Sequence, residues 1–217
     1  FERLQPILKN IVMDLRSVAA VTPDLMGEQE PRRFMVIFQN NNELRPTGGF
    51  MGSYAIMQIR NGVVDKFEMP GGGTYDRQGS LQKLIQAPGP LHLINPRWEF
   101  QDSNWWWDWP ASAENIQKFY NWSGGETVDG VITLDTEVMK GLLNLTGSIS
   151  MPDYNLTITA DNFVKEATAE VEVRYDRVEN KPKQFLVEMA PKLIDLVYAG
   201  LKERPADYIA LLFGSFK

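Results

Sequence analysis

The sequence predicts a single α/β domain with a mixed central sheet and helices on both faces. Three observations lead there. Strand-like runs come first as a meander, and later strands alternate with helical patterns. Phe34–Gln39 (FMVIFQ) is an apolar run bounded by Arg33 and three asparagines, the pattern of a strand buried on both faces, as in a parallel sheet. Asn61-Gly62 lies between two strand-like runs and is a strong hairpin signal, because both residues tolerate the positive φ of a type I′ turn.

Taken in order, Leu4, Ile7, Leu8, Ile11, Val12, Leu15, Val18 and Ala19 repeat at helical spacing and predict an amphipathic helix. A loop follows over 24–31. Strands are expected at 34–39, 50–60 and 63–69, the last closed by Pro70-Gly71-Gly72-Gly73. Residues 74–110 read as irregular, with Pro88, Pro90, Pro96, Pro110 and most of the tryptophans. A short helix is expected over 111–120, with Pro110 or Ser112 near its start. A strand at 128–134 leads to a helix capped by Asp135 or Thr136 and stopped near Gly147. A short strand at 148–151 precedes a helix opened by Thr159 or Asp161. A long helix over 184–202 contains Pro191, which should kink it. Pro205, favourable in a first helical turn, opens a last segment. The expected division is 1–31 as an N-terminal helix and linker packed on the domain, 32–204 as the α/β domain, and 205–217 as the start of a further C-terminal segment.

Composition narrows the function. The 217 residues are 43% hydrophobic and 23% charged, within the globular range and enough for a sizeable core. Twenty-two basic against 28 acidic side chains leave a charge of −6, which argues against nucleic acid as a partner. No uncharged apolar run nears the ~18 residues of a membrane span. The sequence opens at Phe1 inside a helical pattern and stops at Lys217 after an apolar stretch, as expected of a segment cut from a longer, anchored protein. There is no cysteine, so disulfides, thiolate metal sites and a cysteine nucleophile are excluded. His92 stands alone and excludes a multi-histidine metal site.

The densest polar stretch, Gln39 to Gly49, leaves the carboxyl end of the first strand, where open α/β sheets place ligands. Asn40 and Asn42 supply donors and acceptors, Arg45 is a fork for phosphate or carboxylate, Thr47 adds a hydroxyl, and Glu43 is the candidate metal ligand. An equally economical reading is a polar loop in which the asparagines bond backbone and Arg45 pairs Glu43. The Pro70–Gly73 run fits an anion nest less well than a flexible turn. Around Trp105-Trp106-Trp107, aromatic faces suit sugar rings or lipid chains, and Asp102 and Asn104 suit hydroxyls. Large aromatics usually mean core, yet three adjacent tryptophans cannot all point inward. Arg174, Lys181 and Lys183 form a charged cluster before the long helix and would join Arg45 around one anion, or else pair with neighbouring acids.

Phe34 to Tyr54 (FMVIFQNNNELRPTGGFMGSY) closely resembles the signature of a bacterial domain family of unknown function, typically "LVLFQNNAELRPTGGFIGSY". The likeness continues at Asp102-Ser103-Asn104-Trp105, Pro110-Ala111-Ser112-Ala113, VDGVITLD and LLNLTGSISM. It implies a domain on the extracytoplasmic face of the bacterial membrane, held by an anchor outside this segment. Trp106-Trp107 departs from the Ser-Pro usual there.

The order of elements also resembles the LytR-CpsA-Psr family, which implies that family's fold and a chemistry: transfer of phosphate-linked glycopolymers from a polyprenyl diphosphate carrier to peptidoglycan, with Mg²⁺. The corresponding stretches are FMVIFQ with the NNNELRPTGG loop, the strand pair ending in Pro70-Gly71-Gly72, VDGVITLDTEVMKGLLNLTGSIS, and Arg174, Lys181, Lys183 and Gln184 before the long helix. Gly71 stands in place of an arginine there, and asparagines in place of an aspartate. The leading expectation is a cell-envelope protein binding a phosphorylated polyprenyl or glycan ligand, with Arg45, Arg174 and Lys183 on the phosphate. The alternative is a non-catalytic scaffold holding glycan or protein through the tryptophans.

Overall fold

The computed structural model describes residues 19–215, with side chains to residue 211. The expected N-terminal helix lies outside the described residues apart from its last position, and residues 19–25 are helical. The central sheet has strand order β3-β2-β1-β4, built from β1 (Arg32–Asn40), β2 (Phe50–Arg60), β3 (Val63–Glu68) and β4 (Gly130–Asp135). β1 pairs antiparallel with β2 and parallel with β4, so the sheet is mixed. Asn61 and Gly62 both carry positive φ, 49° and 75°, and turn β2 into β3 as the sequence predicts.

Alternation along β1 sets the two layers. Met35 and Ile37 face a core with Met51, Tyr54 and Phe100, which α1 (Trp109–Trp122) covers through Ile116, Phe119 and Tyr120. Phe38 and Leu134 face the opposite core with α2 (Thr136–Thr146), α3 (Phe163–Ala169) and α4 (Gln184–Glu203). Helices therefore cover both faces of one mixed sheet. A small antiparallel pair, β5 (Ile149–Met151) with β6 (Leu156–Ile158), flanks the second core.

Several expected starts shift. α1 begins at Trp109, and its cap is Asp108, whose Oδ2 accepts the Ala111 N–H at 2.9 Å; Pro110 and Ser112 lie inside the first turn. Asp135 caps α2 by accepting from the Val138 N–H at 2.8 Å. α3 begins only at Phe163, because Asn162 turns its carboxamide back to the Thr159 N–H and the Thr157 carbonyl and extends the preceding turn. β6 is an addition to the predicted elements. α4 runs on through Pro191, which lies on the exposed side. α5 (Pro205–Ser215) packs against α2 and α4. No helix among the described residues is long and apolar enough to cross a membrane.

Candidate functional site

The parallel pair β1 and β4 ends at Asn40 and Asp135, and the Gln39–Gly49 loop turns there. The loop is held by a polar clasp to residues more than fifty positions away. Arg45 Nη2 donates to Asp102 Oδ1 at 3.4 Å, and its guanidinium lies 4.9 Å from the Phe50 ring centre. Thr47 Oγ1 accepts from Gln39 Nε2 and from Asn104 Nδ2, both at 2.7 Å. Asn104, fully buried, also donates to the Gly49 carbonyl at 2.9 Å. Arg45 thus pairs Asp102 and not Glu43, because Asn104 draws the loop onto the 100–104 turn. The asparagines do bond locally: Asn40 Oδ1 accepts the Asn42 N–H, Asn40 Nδ2 donates to Glu43, and Asn41 bridges to Asp135 and the Thr136 N–H.

Burial pushes the Asp102 carboxyl above its ordinary range, and Arg45 pulls it partly back. A raised carboxyl contributes stability below the unfolded range that is lost as pH rises through the folded value, so Arg45 matters most where Asp102 is ionised. Arg45→Met should therefore cost roughly 1–3 kcal/mol at pH 7 and clearly less at pH 4. Urea midpoints at the two values measure it; an equal loss at both would contradict the pairing argument.

On the other face, between the sheet and α4, lies an apolar cavity of about 580 Å³. Val36, Phe38, Ile132 and Leu134 form its floor, and α4 lines it with a stripe at helical spacing: Leu186, Met189, Ala190, Leu193, Val197 and Leu201. At the far end the Val64 N–H donates to the Tyr198 hydroxyl at 2.6 Å and ties α4 to β3. At the carboxyl ends of β1 and β4 the lining turns polar, with Gln39, Asn40, Glu43, Asp135, Glu172 and Lys183.

Lys183 is the one cation among the described residues that line the cavity. Its placement explains the glycines. The Lys183 N–H donates to the Gly71 carbonyl at 2.7 Å. A Cβ at Gly73 would stand 3.2 Å from Lys183 Cγ, and one at Gly71 3.1 Å from Lys181 Cγ. The Pro70–Gly73 run is thus a cradle for Lys181-Pro182-Lys183; the Gly72 N–H is taken by Asp76 at 3.0 Å rather than left for an anion. The Lys183 ammonium points at Gly52, the extra residue of a β-bulge in β2. No carboxylate among the described residues forms an ion pair with it. Burial lowers its pKa, with Glu172 and Glu43 partly restoring it.

The four expected cations do not converge. Arg174 is bound by Glu170 at 2.9 Å and Glu166 at 3.1 Å, and Lys181 by Glu179 at 3.5 Å. Both border a second, smaller cavity of about 180 Å³, with Gln184. Arg45 lies in the clasp with Thr47, Asp102 and Asn104. Trp105 is half-buried, whereas Trp106 and Trp107 are 47% and 87% exposed, and none of the three lines either cavity. Asn42 is exposed beside Glu43. The lining of the apolar cavity was the missed part. A signal for it exists: FMVIFQ is apolar on both faces, and the α4 stripe is wider than one core contact needs.

The donor set was tested for Mg²⁺. Asp135 Oδ1 and Oδ2 are both engaged, by the Val138 N–H and Asn41. Glu43 and Glu172 remain, and both act on the Lys183 ammonium, whose charge repels a second cation. The described residues offer no group of three or more ligands for a metal. The residues do not fit the ion.

Residues 29–171, about two thirds of the chain, match the model of a family described as "Protein of unknown function (DUF4012)". No curated protein matches the sequence. The crystal structure of the transcriptional regulator yvhJ from Bacillus subtilis is similar at 12% identity and a TM-score of 0.41, over 88% of this chain and 79% of that one.

Proposed function

We propose that this chain, which belongs to the DUF4012 family, is an extracytoplasmic cell-envelope protein that binds a polyprenyl-type lipid, its chain between the sheet and α4 and its phosphate head at Lys183. One observation carries the reading: a long apolar cavity with a single, carboxylate-free cation at its polar end. A partly desolvated ammonium is costly without an anion, so a ligand that brings one is favoured there. At about 30 Å³ per water-sized group, the cavity takes roughly 20 non-hydrogen chain atoms, about four isoprene units. A longer carrier would leave its tail outside.

The resemblance in element order to the LytR-CpsA-Psr family supports an isoprenoid over other lipids and supports the envelope location. Phosphoryl transfer is not part of the reading, since the donor set does not fit the metal and Arg45 and Arg174 are paired elsewhere. The exposure of Trp106 and Trp107 favours a second reading, a glycan- or protein-holding scaffold.

A geranylgeranyl phosphate analogue with a diazirine at its chain end separates the two. Irradiation should give adducts near the far end of the cavity, in 59–64 or 194–201, suppressed by unlabelled lipid. Adducts confined to 105–109, or none that compete, would overturn the cavity reading.

A further inference from the structure

We infer that the head-group end of the cavity selects a lipid with one phosphate over a diphosphate, with Glu43 as the discriminating residue, and does so without a metal. The inference rests on the lipid-binding reading and adds the head-group class. Among the ionisable residues lining the cavity, Lys183 faces Glu43, Glu172 and Asp135. Asp135 is held by Asn41 and the Val138 N–H, which leaves Glu43 and Glu172 as the charges acting on the ammonium.

The arginine that would complete a diphosphate clamp is committed. Arg45 Nη2 is on Asp102, and the guanidinium lies against Phe50, whose ring forms part of the cavity wall. Arg174 sits between two glutamates at the other cavity. The Lys183 ammonium is fixed rather than free to follow a larger head: its backbone is tied to Gly71, and its stem crosses Gly73 toward Gly52.

A monoester phosphate of about −1.5 to −2 charge is matched by one ammonium and the dipoles of Gln39, Asn40 and Ser53. A second phosphate adds negative charge on the side where Glu43 opens to solvent. Like charges at such distances disfavour each other. Bridging by Mg²⁺ would need the carboxylates that already face Lys183. The exposed Glu43 is anchored by Asn40, which holds it at the rim.

The test is a set of calorimetric titrations with geranylgeranyl phosphate, geranylgeranyl diphosphate and the neutral alcohol, each with EDTA and with Mg²⁺. The proteins are the unmodified chain, Glu43→Gln and Lys183→Met, with circular dichroism confirming each fold. The monophosphate should bind about tenfold tighter than the diphosphate. Glu43→Gln should shrink that ratio to about twofold by strengthening the diphosphate, Lys183→Met should weaken both toward the alcohol, and Mg²⁺ should leave the ratio within about twofold. The inference is overturned if the diphosphate binds as well or better, if Mg²⁺ brings the two level, or if Glu43→Gln leaves the ratio unmoved. Equal binding of all three compounds would keep the cavity and remove the head-group inference. Failure of all three to bind would remove the lipid reading and the inference with it.

Discussion

Asn104→Ala is expected to lower the unfolding free energy by about 3 kcal/mol, the sum of a small void and a stranded buried carbonyl. The carboxamide is fully buried and donates twice, to Thr47 Oγ1 and to the Gly49 carbonyl. Water cannot replace those donors without opening the loop. The substitution also frees the Thr47 hydroxyl from one of its two partners, the other being Gln39 at the end of β1. Asn42→Ala, on an exposed side chain of the same loop, should stay within about 0.5 kcal/mol. Urea denaturation of both variants against the unmodified chain is sufficient. A loss at Asn104 no larger than at Asn42 would show that the clasp is not a structural unit.

That contrast bears on what the most distinctive stretch of the sequence is for. Arg45, Thr47, Asp102 and Asn104 read as ligand-binding residues when only their chemistry is considered. Folded, they serve chiefly one another: Arg45 with Asp102, Thr47 with Asn104. The loop so fixed carries Gln39, Asn40 and Glu43 to the polar end of the cavity. Their contribution to binding is therefore one of position.

Local signals in the sequence were legible. FMVIFQ, the Asn61-Gly62 turn and the Asp135 cap each depend on a few adjacent residues, and each sits where the pattern places it. β6 escaped because it is three residues long and exists through its pairing with β5, after a turn in which Asn155 takes a φ of 52°. Asp108 was hidden as a cap because Pro110 and Ser112 offer competing starts within one turn. The site depends on separations that no local pattern carries. Whether Arg45 meets Glu43 two residues away or Asp102 across 57 positions is decided by tertiary packing. Likewise, nothing in Pro70–Gly73 alone says that a lysine strap from the far end of the chain will lie across it.

Filling the cavity should abolish lipid binding and leave the fold standing. Ala190 is on the cavity face of α4, where a small side chain leaves open space above Val36 and Ile132. An indole at this position fills roughly a third of the volume, replaces no polar contact and adds apolar surface to a dry wall. Ala190→Trp should therefore hold or raise the melting temperature, since occupying a void recovers dispersion contacts. It should weaken binding of a C20 phosphate at least about a hundredfold, the cost of displacing much of the chain from the apolar lining. The decisive measurement is a paired calorimetric titration of geranylgeranyl phosphate into the unmodified protein and Ala190→Trp, with their melting curves alongside. Saturable binding by the first and none by an equally stable second is the predicted result. Undiminished affinity in a folded Ala190→Trp would contradict a lipid chain seated between the sheet and α4.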